Sequence, residues 1–375
     1  MQDSLCVKKT LLCEVSVIRP LIIFLLVVYH ALCPYTGGWT PPDGVTGNSL
    51  YWWLGHLISG FRIETIAFVG GYVFCFQSVE NNRRVSFCRF LWKKFRRLII
   101  PCFLFGTIYF LLFNFNPHRF DWDVAFWKVA NGVSHLWFLP MLFWCFLLGW
   151  LIDRFLQWIH PHGKLSRFLP HLLLIIFAAL SLCRLHGFRL GLTRVPYFFF
   201  YFYLGYWLRM QVKRPSKPLA FSLRGVVLLA IFYLLFLLLH LQATNLQLPG
   251  VPFPCPNALR GMPVLLVRLL IMGHTLCGLL AVYGAVSYWL RRKSPLDYQP
   301  GKRLRLASNY CYGTYVFHMF FMQYLYYGTH FPAWCCGSVA GAWLMPWLSL
   351  IIVLIPSLLV TGLLLRTRWG RTLIG

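Results

Sequence analysis

Apolar runs recur along almost the whole chain, separated by short polar segments, and ten of them are long enough to cross a hydrocarbon core of about 30 Å as helices. They fall at residues 17–36, 52–78, 98–116, 134–152, 168–184, 195–211, 221–242, 262–290, 309–329 and 343–365. The second and eighth exceed what one straight crossing needs, so each should tilt, break or begin in an interfacial helix. No internal repeat or soluble domain interrupts the series. The pattern predicts an all-α fold: a polytopic membrane bundle of ten transmembrane helices, forming one unit over residues 1–375. A tail precedes residue 17 and a short one follows at 366–375.

Composition points the same way, because 59% hydrophobic residues, 18% aromatic residues and a mean hydropathy of +0.64 lie far outside the range of soluble domains. A net charge of +26 would suggest nucleic acid in a soluble chain. Here the bases cluster in short segments between apolar runs, which argues for a lipid bilayer and no nucleic acid. Segments on one side of the predicted bundle hold 27 of the 35 Lys and Arg residues and those on the other side hold 6, leaving Arg62 and Arg268 inside spans. That bias predicts both termini in the cytoplasm, with the chain in the plasma (inner) membrane. No small-residue cleavage site follows the first run, so it is expected to remain as a span. Most of the 13 cysteines lie in or beside apolar runs, where a thiol packs as a small hydrophobe. A bridge from Cys255 to Cys335 or Cys336 on the external side stays open.

Ionisable groups inside the spans are costly and therefore functional candidates. Arg19 and His30 bound the stretch RPLIIFLLVVYH. Eleven residues at 100° each bring them back to one helical face, about 16 Å apart along the axis. Arg62 and Glu64 should lie near mid-membrane in the second run, at the depth His30 reaches from the other side. They point about 200° apart, so each needs its own partner. His30 is the expected partner of Glu64. The alternative gives Glu64 to Arg62 or Arg268 and His30 to a backbone carbonyl. Two turn-rich external loops, PYTGGWTPPDGVTGN and QLPGVPFPCPN, offer the aromatic faces of Trp39 and Phe253 to a ligand. His160 and His162 lack further ligands nearby, so no metal is expected. The competing functional class is a transporter or flippase of a glycan or lipid precursor, with Arg62, Glu64, Arg268 and His274 lining a polar path.

Three more stretches weigh against that alternative. GVSHLWFLPMLFWCFL carries His135 and Trp137, NYCYGTYVFHMFFMQYLYY carries Tyr315 and His318, and FRIETIAFVGGYVF joins Arg62 and Glu64 to a Gly-Gly-Tyr sequence. With Arg19 and His30 at their spacing, these resemble the membrane acyltransferase 3 family from residue 19 to about residue 365. Within the family, the loop and the second run resemble the branch that modifies periplasmic glucans. The chain reads AFVGGY where relatives usually carry Phe-Phe and a serine before the glycine.

The resemblance implies an O-acyltransferase that moves an acetyl or succinyl group from cytoplasmic acyl-CoA to a hydroxyl of an extracytoplasmic or lipid-linked glycan. Arg19, with Arg96, Arg97 and the other basic pairs of residues 83–97, would hold the donor phosphates. His30 would act as general base and Glu64 would orient it. Arg62, Tyr312 or Tyr315 would stabilise the oxyanion. His318 and Tyr315 would lie along the pantetheine arm, and His135, Trp137 and Trp39 on the acceptor side. Neither the acceptor glycan nor the oligomeric state is legible in the sequence.

Overall fold

The computed structural model describes residues 12–80, 86–159, 164–183, 185–187, 189–212, 219–244, 262–293 and 300–374. Arg83, Arg84, His160, His162, Phe253 and Cys255 lie outside them, as does the loop at 247–257. The described chain is helical, 85% in all, with no strand among the described residues. In order it forms α1 (Cys13–Thr36), α2 (Ser49–Ser59), α3 (Arg62–Cys75), α4 (Phe87–Lys94), α5 (Ile100–Phe113), α6 (Trp122–Ala130), α7 (Phe138–Ile159) and α8 (Lys164–Ser181). There follow α9 (Val195–Met210), α10 (Leu223–Thr244), α11 (Val264–Lys293), α12 (Lys302–Tyr327), α13 (Phe331–Cys336), α14 (Val339–Arg366) and α15 (Arg368–Ile374).

A helix lies on each of the ten apolar runs. Seven of the helical segments are long and apolar enough to cross a membrane. The runs outside that set correspond to α8, whose apolar part is Arg167–Ser181, to the 16-residue α9, and to α12, which opens on the polar sequence KRLRLASN. Faces of α8, α10 and α14 present Ile175, Leu228, Ile231, Leu359 and Leu363 outward. A continuous apolar exterior of this kind suits lipid and would be costly in water.

The long second run breaks at Gly60 and Phe61 between α2 and α3. Gly60 has no space for a side chain, because a Cβ would strike the His274 ring. Asn48 starts α2 by accepting a hydrogen bond from the Tyr51 amide at 3.1 Å, and Gly37 ends α1 in the left-handed region, at φ 73°. Helix α3 lies directly on α9 through two glycines. A Cβ on Gly71 would strike the Phe202 carbonyl oxygen, and one on Gly205 would strike that of Phe68. Small residues that let backbones touch are the usual adhesive between helices in lipid.

Two π-helical turns lie at Phe76–Glu80 after α3 and Phe95–Ile99 before α5. The predicted C-terminal tail is the helix α15, and its Ile374 is fully buried. Of the described cysteines, Cys13, Cys33, Cys75, Cys102, Cys145, Cys311 and Cys335 are buried and pack as small apolar groups.

Candidate active site

One face of α1 runs between two cavities. Arg19, Ile22 and Ile23 line the first, of about 450 Å³, and Leu26 and His30 line the second, of about 260 Å³. Ile66, Phe138 and Tyr315 line both, so the cavities adjoin across a junction of one aliphatic and two aromatic side chains. Arg19 and His30 thus share a helical face, each at its own cavity.

The two chambers differ in charge. The larger is lined by Arg19, Lys93, Lys94, Arg97 and Arg154, with no carboxylate among its described lining residues. Lys94 places its ammonium 3.2 Å from the centre of the Phe146 ring. Such a contact holds a cation at an apolar wall without neutralising it. The smaller chamber has no charged side chain among its described lining residues and is walled by His30, His135, Trp39, Trp137 and Ser134 with apolar neighbours. The larger therefore suits a polyanion on an apolar stem, and the smaller a neutral, hydroxyl-rich ligand against aromatic faces.

The backbone before α7 is bent to aim His135. Gly132 has φ 85°, and a Cβ there would strike the Trp137 backbone. Ser134 sits at φ 53°, a left-handed conformation that a residue with a side chain adopts only where its surroundings impose it. Reciprocal bonds then tie this turn to α12. His135 Nε2 donates to the Val316 carbonyl at 3.0 Å, and the Tyr315 hydroxyl donates to the His135 carbonyl at 2.5 Å. At the rim, the Arg194 guanidinium lies 3.9 Å from the centre of the Trp137 ring, and burial lowers its pKa.

His30 is held on a ring face and at an edge. Trp39 stacks on it with centroids 5.5 Å apart and planes 9° apart, and His318 meets its edge nearly in plane, with centroids 5.0 Å and planes 23° apart. His30 Nδ1 lies 2.9 Å from His318 Nε2. The expected pairing of His30 with Glu64 is therefore corrected. Glu64 Oε1 instead accepts from the Tyr197 hydroxyl of α9 at 3.1 Å. On α3 it is Ile63 and Ile66 that face the smaller cavity, which leaves Glu64 turned toward α9. Arg62 is buried outside both cavities, its guanidinium 3.4 Å over the Tyr29 ring and its Nη1 donating to the Ser59 carbonyl at 2.9 Å.

Other expected donor contacts also shift. Arg96 is exposed and away from the cavity, whereas Arg97, Lys93 and Lys94 line it. His318 is fully buried behind His30 and lines neither cavity. The hydroxyls of Tyr312 and Tyr315 are committed to the carbonyls of Arg97 and His135, and Arg62, which keeps an unused Nε–H, lines neither cavity, so none of these three presents an oxyanion donor to the cavities in this arrangement. Arg154, which the sequence reading left among ordinary loop bases, lines the larger cavity. Its one sequence signal was its place in a basic segment at the end of an apolar run. The path expected of a transporter does not form at these cavities: none of Arg62, Glu64, Arg268 and His274 lines either one.

A family model described as an acyltransferase domain matches residues 14–366, nearly the whole chain. No curated protein and no solved structure matches.

Proposed function

The chain belongs to the acyltransferase 3 family and is an acyltransferase, and we propose that it passes an acetyl or succinyl group from cytoplasmic acyl-CoA to a hydroxyl of an extracytoplasmic or lipid-linked glycan. The observation that carries this reading is the segregation of charge. Among the described residues, five cations line the cavity at Arg19 and none lines the adjoining one at His30. The bundle then crosses the inner membrane ten times with both termini in the cytoplasm, as the distribution of Lys and Arg favours.

In this reading the donor's phosphates rest among Arg19, Lys93, Lys94, Arg97 and Arg154, and its pantetheine arm follows the apolar wall toward Tyr315. The thioester carbonyl reaches the junction. The acceptor hydroxyl enters between Trp39, Trp137 and His135. His30 Nε2 removes the hydroxyl proton as the oxygen attacks the carbonyl carbon. The tetrahedral adduct collapses, the carbon–sulfur bond breaks, and the thiolate takes the proton back from His30. The products are the O-acyl ester and the free thiol, and His30 is regenerated.

The test is transfer of label from radioactive acetyl-CoA and succinyl-CoA to glucan oligosaccharides by the protein in lipid vesicles. His30→Ala should lower the rate by about 10²-fold or more at normal protein level. Transfer by His30→Ala at the unaltered rate removes His30 from the chemistry.

A further inference from the structure

Resting on His30 as the base, we propose that His318 is a positioning residue: it fixes the proton of His30 on Nδ1 and so keeps Nε2 bare toward the acceptor cavity. The assignment follows from partners that can act in only one sense. His318 Nδ1 lies 2.8 Å from the Tyr315 carbonyl oxygen and 3.1 Å from that of Thr314. A carbonyl only accepts, so Nδ1 carries the proton. His318 is fully buried, and the rings against it are those of His30, His135 and Tyr315. A second proton on its ring would be a buried charge without a counter-ion, which the site disfavours. Its Nε2 is therefore an acceptor, and the atom 2.9 Å away, His30 Nδ1, must donate to it.

Neutral imidazole has one N–H, so donation through Nδ1 leaves His30 Nε2 with a lone pair. The stacking of Trp39 on its face and the edge-on bond from His318 hold the ring in that orientation. The chain of bonds runs from the α12 backbone through His318 to His30. It does for the base what a carboxylate does in a hydrolase triad, with backbone carbonyls as the final anchor. His135 is not the partner: its Nε2 donates to the Val316 carbonyl, its Nδ1 has no hydrogen-bond partner among the described residues, and the bond of His30 Nδ1 goes to His318.

The mechanism requires His318 to accept a hydrogen bond and nothing more, and substitutions separate that from other roles. His318→Leu removes the acceptor, while His318→Gln offers a side-chain carbonyl oxygen near the position of Nε2. With labelled acetyl-CoA and succinyl-CoA and glucan oligosaccharides in vesicles, His318→Leu should lower kcat about tenfold or more with donor KM nearly unchanged, because only the base is disturbed. His318→Gln should recover most of that loss. Unchanged kcat in His318→Leu, or a His318→Gln protein as slow as His318→Leu, overturns the proposal. Full activity in His30→Ala would instead bring down the reading of the base itself. Should His318→Leu fail to accumulate, ¹⁵N spectra of histidine-labelled protein, assigned by comparison with His30→Ala, decide the matter. An Nδ1–H tautomer at His30 supports the assignment, and an Nε2–H tautomer overturns it.

Discussion

At the scale of single residues, Arg19 and His30 do different work in the proposed transfer, and the difference is measurable. Arg19 lines the basic cavity, where each charge-assisted bond to a phosphate contributes about 1.5–3 kcal/mol. Arg19→Ala is therefore expected to raise the donor KM roughly 10- to 100-fold with kcat changed far less, because that interaction is the same in the bound ground state and the transition state. Steady-state kinetics with varied acyl-CoA checks it, and a fall confined to kcat contradicts it. The spacing of Arg19 and His30 was legible because both lie on one helix, whose geometry fixes their relation. The partner of His30 was not. It comes from α12, 288 residues away, and the rotation of each helix about its axis depends on packing that no local pattern encodes. Glu64 illustrates the same gap, since it turns to Tyr197 of α9 and not to His30.

Among elements, the apolar runs located the helices because apolar length in a bilayer leaves the backbone few alternatives. The break after Ser59 was foreseeable from excess length. The π-helical turns were not, because an extra residue in a turn leaves no periodic mark over five positions. They matter, since Gln77, Ser78 and Arg97 reach the basic cavity from them. The Gly-Gly-Tyr sequence of α3 acquires a physical reason: Gly71 is where α3 and α9 touch. Gly71→Leu forces these backbones apart, and overpacking of this kind costs about 1–3 kcal/mol or more. A lower unfolding temperature in detergent is expected, with reduced protein in the membrane. A thermal transition equal to that of the unaltered protein would place the contact elsewhere.

For the whole molecule, the proposed arrangement is an acyl-group passage divided by chemistry. Cations gather at one chamber, imidazoles and indoles at the other, and the shared wall of Ile66, Phe138 and Tyr315 stands between them. Such a division lets a polyanionic carrier stay on one side while only its acyl group advances. The excess of Lys and Arg in alternate segments sets which side that is. Hydropathy and charge bias carried this much of the architecture, and the two chambers emerged only when the helices were placed in space. The most direct measurement uses sealed vesicles of uniform orientation, with glucan oligosaccharides enclosed on the external face of the protein and acetyl-CoA or succinyl-CoA, labelled in the acyl group, supplied only at its cytoplasmic face. Label is expected on the enclosed sugar while the CoA thiol stays outside, and His30→Ala should abolish the transfer. Label that reaches the sugar only when donor and acceptor share a compartment, or that reaches it equally well in His30→Ala, would contradict the passage.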